Sequence, residues 1–240
     1  MKYRNLMLAA SALSLIAVPA LAQTGPDTAF ETQLRRVLNN RPEIIIEAVQ
    51  RAQQRDAQRA EQARNQAAQT VRPRLTGANT PGLVLGDQAA NAQNTLVEFL
   101  DYRCGYCRQA HTTVKALKAG RPGTRLVVVM RPILGPQSEV LARYALAAAE
   151  QGKFEAAHNA LFERQVEAND AGLQALSESI GVDWTRARAA MSSPSVTAKL
   201  TEHRTISEQM NVNGTPFFIT PQGTIPGAAT EAQLTAAFRR

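Results

Sequence analysis

The apolar positions of this 240-residue chain change their period twice. Over residues 27–70 they recur at helical spacing, with Phe30, Leu34, Val37 and Leu38 on one stripe and Ile45, Val49 and Ala52 on a second. Thr28 and Glu31 have the form of a capping box, and Asn40-Arg41-Pro42 predicts a break with Pro42 suited to the first turn of the second helix. That helix thins into Ala, Gln and Arg up to Ala68. So narrow an apolar stripe cannot bury itself alone, which predicts packing on a helix of a second subunit; a partly frayed linker helix is the bland alternative. Residues 71–86, with Pro73, Gly77, Pro81 and Gly82, read as a linker.

After the linker the pattern turns to strands. Residues 95–100 (TLVEFL) predict a buried strand interrupted by one carboxylate. A helix follows, carrying Cys107, Ala110, Val114 and Leu117 and closed by Gly120, and residues 125–130 (RLVVVM) predict a second strand stopped by Pro132. Strand, helix, strand at this spacing is a βαβ unit with a parallel pair and a right-handed crossover. Residues 136–211 are helical, punctuated by Gly152, Gly172, Gly181 and Pro194 into four or five helices. Strand character returns over 212–219 around Pro216, Gln222-Gly223 predicts a hairpin turn into Thr224-Ile225, and a last helix ends near Phe238. The fold class is α/β.

The N-terminus reads as a secretory signal. Lys2 and Arg4 precede an uncharged apolar stretch over 6–18, and Ala20-Leu21-Ala22 gives a cleavage site before Gln23. The apolar run is short for a membrane anchor. Losing residues 1–22 removes Lys2 and Arg4 and no acid, so the formal charge falls from +7 to +5. The excess lies between Arg35 and Arg74, where basic residues alternate with Gln and Ala. No aromatics are interleaved there, so a solvated helix face is expected and no nucleic-acid partner.

An exported chain with only two cysteines, both in Cys104-Gly105-Tyr106-Cys107, does not use them as staples. A bridge closing so short a loop removes little unfolded-state entropy. A structural zinc site needs about four ligands, and besides the pair only His111, His158 and His203 are present. A CxxC beside a βαβ unit reads as a thioredoxin-like redox pair. If the helix begins at Cys104, its free N–H groups and dipole favour the thiolate there. Cys104 is then the exposed attacking sulfur, and Cys107, one turn in, is buried and resolves a mixed disulfide. No cofactor is implied. Copper(I) held by the two reduced thiols is chemically reasonable beside the redox role.

Glu98 stands on an apolar strand six residues before Cys104. Buried, it would have a raised pKa and relay the proton of Cys107; at a sheet edge it would merely reach solvent. Arg103 either supports the thiolate or lies on the surface. His111 is expected as a surface histidine, and His158 and His203 as ordinary packing or solvated residues.

Residues 97–107 (VEFLDYRCGYC) resemble the active-site strand and helix start of the DsbA family, and 214–218 (GTPFF) resemble its cis-proline loop. The helical block between them is similar to the family's insertion in the thioredoxin fold. The resemblance implies a DsbA-like thioredoxin domain over 87–240 with the insertion at 136–211. It also implies that Pro216 is cis, that Thr215 presents its backbone to an extended substrate and that Glu98 fills the family's buried acidic position. Gly105-Tyr106 departs from the Pro-His of DsbA itself, which suggests a weaker oxidant. An N-terminal helical stalk over 23–70 resembles the ScsC group, linked to copper tolerance. There the stalk can mediate self-association, and facing CxxC sites favour disulfide shuffling.

The expectation is therefore a periplasmic thiol–disulfide oxidoreductase leaning to isomerase or reductase, acting through Cys104, Cys107, Glu98, Thr215 and Pro216. Its partners would be unfolded or misoxidised exported proteins and a membrane redox partner, DsbD/ScsB-like or DsbB-like. A DsbA-like dithiol oxidase, a copper(I)-binding thiol protein and a purely structural assembly role for 23–70 remain as alternatives.

Overall fold

The computed structural model describes residues 28–90 and 94–238. The expected signal segment and its cleavage site lie outside the described residues. The chain divides into two units, the first ending at Arg55 and the second running from Asp56.

In the first unit, α1 (Thr28–Asn40) is followed by the break at Arg41-Pro42 and the beginning of α2 (Glu43–Thr76). None of α1 is buried, and Phe30, Ile45, Ile46 and Val49 stand exposed. Glu31 pairs with Arg35 and Arg41 with Glu43, both on the surface.

The second unit is built on a five-stranded sheet in the order β1-β3-β2-β4-β5. β1 is Leu83–Gly86, β2 Thr95–Leu100, β3 Arg125–Met130, β4 Phe217–Thr220 and β5 Gly223–Pro226. β2 and β3 are parallel, joined by α3 (Gly105–Gly120), with Glu98 opposite Val128; all other pairs are antiparallel. β2 is fully buried in the sheet centre. Between β3 and β4 come five helices, α4 (Pro136–Ala149), α5 (Phe154–Glu163), α6 (Asp170–Ile180), α7 (Trp184–Met191) and α8 (Pro194–Gln209). The last helix, α9, is Glu231–Ala236, started by a capping box at Thr230 and Gln233.

Alternation along the central strands divides the core in two. Leu96, Leu100, Leu126, Val128, Met130 and Phe218 face α3 and the insertion helices. Val97, Phe99, Val127, Val129, Phe217 and Ile219 face Ala68, Val71 and Leu75 of α2 together with Ile206 and Met210.

That second core corrects the expected linker over 71–86. The α2 helix runs through Pro73 to Thr76, since Val71 and Leu75 gain more by burial than the lost backbone bond costs. Asn65 Oδ1 accepts from the Thr224 N–H and hydroxyl at 3.0 and 2.8 Å, and the Arg72 guanidinium donates to the Pro221 carbonyl at 2.9 Å. β1 is the strand the pattern missed, because it is only four residues long. Its mark is Gly82, where a Cβ would come within 2.4 Å of Val127 Cγ1. Buried Arg125 holds this corner, donating to the carbonyls of Gln88, Ala89 and Gly77.

Candidate active site

Cys104 is the N-cap of α3, in extended conformation, so the helix starts at Gly105 with its first N–H groups turned towards the sulfur end. The Cys104 thiol caps nothing in its own helix; it donates to the Thr215 carbonyl at 3.2 Å. The Thr215–Pro216 peptide is cis, which brings the turn before β4 against the first turn of α3. Both cysteines are free thiols. The loop covers Cys104 more than the sequence suggested: it keeps 7% of its surface, against none for Cys107. The order of accessibility still separates an outer from an inner sulfur.

Burial pushes the Cys107 thiol well up, and the negative charges available to Glu98 and Cys104 push it further. A backbone contact at Asp101 and the neighbouring Thr215 hydroxyl act in the opposite sense. That hydroxyl oxygen is buried and, although close enough to favour a thiolate, reaches no hydrogen-bond geometry with any partner.

Glu98 occupies the central strand β2, on the face shared with the cysteines, and is 1% exposed. The sheet-edge alternative is therefore excluded by its place in the strand order. Desolvation raises its carboxyl to about 8, and Oε1 has no hydrogen-bond partner. A carboxyl without local donors is held protonated around neutral pH, yet it titrates close enough to neutrality to exchange a proton.

Asp101 is the positioning residue at the site that the sequence pattern does not single out. Its buried carboxylate accepts from the Arg103 N–H at 2.8 Å through Oδ1, and from the Ile133 and Leu134 N–H groups at 2.8 and 3.1 Å through Oδ2. Its carbonyl takes the Cys104 N–H at 3.0 Å. One carboxylate thus fixes the turn before the nucleophile and the β3–α4 connection. The available signal was an aspartate two residues before a turn N–H, the pattern of an Asx-turn.

Arg103 is exposed, as is Tyr106 between the cysteines. His111 departs from its expected surface position: it is 5% exposed, stacked near Phe162 and His158, with Nε2 3.3 Å from Glu163 Oε1. The insertion helix α5 covers it, so burial lowers its pKa. His158 is also buried and lowered to about 3, with Nδ1 3.2 Å from the Tyr102 hydroxyl. His203, on α8, is fully buried and apart from this aromatic group. Its Nδ1 accepts from the Met130 N–H at 3.1 Å and its Nε2 meets the Pro81 carbonyl at 2.9 Å, which fixes the neutral Nε2–H tautomer.

A reduced dithiol at a helix start, faced by a cis-proline loop on a thioredoxin-type sheet, defines a thiol–disulfide oxidoreductase. Residues 95–239 match the DSBA-like thioredoxin domain, and the chain belongs to that family. Among solved structures, a thioredoxin-like oxidoreductase from Silicibacter pomeroyi DSS-3 is 37% identical, covering 68% of this chain and 94% of that one, with a TM-score of 0.63. BcfH of Salmonella enterica Typhimurium is 26% identical over 89% of this chain and 94% of its own, with a TM-score of 0.72. Proteus mirabilis ScsC shares the fold, with 22% identity, a TM-score of 0.62, and coverage of 88% of this chain and 96% of that one. Of curated proteins, a Na(+)/H(+) antiporter NhaA 3 of Salinispora tropica is 31% identical over 52% of this chain. The chain spans about a fifth of that protein's length. Among the described residues no helix is long and apolar enough to cross a membrane.

Proposed function

We propose that this oxidoreductase works in the periplasm as a disulfide-shuffling enzyme on exported proteins. The observation that carries the reading is the pairing of an outer Cys104, held against the Thr215 carbonyl, with a fully buried Cys107. The Cys104 thiolate attacks a substrate disulfide, forming a Cys104–substrate bond and expelling the other substrate sulfur as a thiolate. That thiolate can attack a different cystine of the substrate and finally displace Cys104, which leaves the redox state of both molecules unchanged. When the substrate stalls, Cys107 passes its proton to Glu98 in its ionised form, the minority species near neutrality, and attacks the Cys104 sulfur. The substrate leaves reduced by two electrons and the enzyme carries a Cys104–Cys107 disulfide. Thr215 and Pro216 align the substrate backbone beside the sulfur.

A membrane redox partner of DsbD or ScsB type must then return two electrons to the pair. The isomerase leaning is supported by the exposed apolar residues Phe30, Leu34, Val37, Ile45, Ile46 and Val49. A helical segment presenting these residues is suited to self-association within 23–70, which would put two or more sites on one substrate. The domain plan is a cleaved signal over 1–22, this association segment, and a catalytic domain beyond it. Periplasmic placement rests on the leader pattern at the N-terminus. A DsbA-like oxidase would require the opposite reset. A copper(I) role rests on the two free thiols one helical turn apart.

The test is reactivation of scrambled ribonuclease by the reduced protein, with Cys104→Ser and Cys107→Ser alongside. Recovery that needs Cys104, with a mixed disulfide accumulating in Cys107→Ser, is the expected result. No recovery, with rapid oxidation of reduced ribonuclease by the disulfide form, would move the protein to the oxidase class. Stoichiometric copper(I) uptake without exchange would leave the thiols as ligands.

A further inference from the structure

Beside the cis-proline loop, on the face of the sheet away from α3, lies a cleft of about 660 Å³. One wall is the loop itself, with Asn213, Thr215 and Pro216; the other is the part of α2 that presents Ala60, Ala63, Arg64 and Ala67. The three alanines sit at i, i+3 and i+7, so one helix face is set back and leaves the space open. The wall is anchored to the catalytic domain by Asn65 on Thr224 and Arg72 on Pro221. A volume of this order accommodates a drug-sized ligand, which corresponds to a short run of peptide.

The charge of the cleft is one-sided. Among the described residues no carboxylate lines it, and the one charged side chain there is Arg64. Arg64 Nε is buried without a hydrogen-bond partner, and the guanidinium makes no ion pair with any described residue. A cation left unpaired while Arg72 and Arg74 on the same helix both find acceptors is placed for a ligand that the chain does not supply. Thr215 both lines the cleft and accepts from the Cys104 thiol at 3.2 Å, so the cleft begins one residue away from the reacting sulfur.

We propose that this cleft holds the stretch of substrate polypeptide flanking the reacting cysteine, and that Arg64 selects segments carrying an aspartate or glutamate there. The proposal rests on the thiol–disulfide exchange reading above and adds its substrate class, an acidic peptide. Arg64 binds substrate by a charge-assisted fork to a carboxylate. It takes no part in the electron transfer, which remains with the two sulfurs. The N-terminal helix α2 is thereby part of the substrate site as well as of the association segment.

The test uses two synthetic peptides, each with one cysteine activated as a mixed disulfide with a chromogenic aryl thiol. The peptides differ only in carrying glutamates or glutamines around the cysteine. The reduced full-length protein attacks the peptide sulfur through Cys104, forms the enzyme–peptide disulfide and expels the coloured aryl thiolate, which is timed by stopped flow. The readout is the ratio of the two second-order rate constants, because it cancels any loss of activity common to both peptides. The wild type should prefer the acidic peptide by roughly two- to fivefold, the upper range of one partly exposed ion pair. Arg64→Gln should bring the ratio close to one, Arg64→Lys should retain part of it, and added salt should shrink it in the wild type. A ratio near one in the wild type, or one that Arg64→Gln leaves intact, overturns the proposal while leaving the exchange reading in place. Failure of the wild type to release thiol from either peptide overturns both.

Discussion

Cys104 donates its thiol hydrogen to the carbonyl of Thr215 at 3.2 Å, across 111 residues of sequence. The sulfur position is therefore set from two sides, by the start of α3 and by the turn before β4. A Cys104 sulfur engaged in a disulfide has no hydrogen to donate, so the Thr215 carbonyl is released when a substrate bonds to the sulfur. On the proposed function, it is then free to accept from the backbone of an extended substrate segment, in the manner of strand addition.

The side chain of the same residue acts on the other sulfur. The Thr215 hydroxyl is buried, unpartnered and close to Cys107, where it favours the thiolate. Thr215→Val exchanges it for a methyl group of similar size. The expected outcome is a fold as stable as the wild type or more stable by up to about 1 kcal/mol, because an unmet polar group is removed. Resolution should slow, with the Cys104 mixed disulfide persisting longer in quenched samples analysed by mass spectrometry. Unchanged lifetimes would show that the hydroxyl has no hand in the resolving step.

Three buried groups with large shifts, Glu98, His158 and His203, dominate the dependence of stability on pH, and His111, lowered by burial, acts in the same sense as the other two histidines. Glu98 is raised from 4.5 to about 8, so the native protein keeps a proton that the unfolded chain releases over that window, and stability falls as pH rises through it. His158 and His203 are lowered from 6.5 to about 3 and about 4; their contributions are complete above 6.5 and are lost as pH falls. Between 4.5 and 6.5 the two histidines outweigh the carboxyl, and above 6.5 the carboxyl acts alone. Stability in urea should thus peak near pH 6.5, falling by about 2 kcal/mol towards pH 8 at 1.4 kcal/mol per unit. Glu98→Gln should abolish the alkaline decline and leave the acid limb. A decline of equal size in that variant would remove Glu98 as its source.

How much of this was legible in the sequence follows from how local each signal is. The strands over 95–100 and 125–130 and the helix start beside Cys104 are written in contiguous residues; the structure gives both strands the same bounds and makes Cys104 the N-cap of a helix that begins at Gly105. β1 is a four-residue edge strand whose identity depends on the close approach of Gly82 to β3, which periodicity cannot register. The continuation of α2 through Pro73 depends on a sheet face far away in sequence. His111 was misplaced for the same reason, since it is buried by Phe162 and His158 of α5. Residue chemistry named the sulfurs and Glu98, whereas Asp101 and Arg64 gain their meaning only from what surrounds them.

Asp101 provides a sharp test of how the site is held. Its carboxylate takes three backbone N–H groups at 2.8 to 3.1 Å. Asp101→Ala leaves those donors without their acceptor; Arg103, Ile133 and Leu134 are themselves exposed, so water meets part of the loss and the cost in urea unfolding is about 1–3 kcal/mol. Asp101→Asn keeps an oxygen on one side and should cost less. Exchange activity should fall with the loss of the turn even under conditions where the variant remains folded. Full activity in folded Asp101→Ala would show that the nucleophile is positioned by α3 alone.

The two parts of α2 should separate on truncation. Residues up to Arg55 contribute no buried side chain to the described structure, while Ala68, Val71 and Leu75 are buried against the sheet. A chain beginning at Asp56 keeps all three, together with the Asn65 and Arg72 bonds to the β4–β5 hairpin. It should fold with nearly the thermal midpoint of the mature protein. A chain beginning at Val71 loses Asn65 and Ala68 and frees the helical turn bearing Val71 and Leu75. Burial of a valine and a leucine alone is worth about 3–6 kcal/mol, so the midpoint should drop by at least about 6 °C. The Asp56 chain also isolates the shuffling hypothesis. If association through the removed helices supplies it, that chain should exchange disulfides with small peptides as well as the full protein does but fail to reactivate scrambled ribonuclease. Retention of both activities by a monomeric Asp56 chain would mean that one catalytic domain suffices and that the helical stalk serves another purpose.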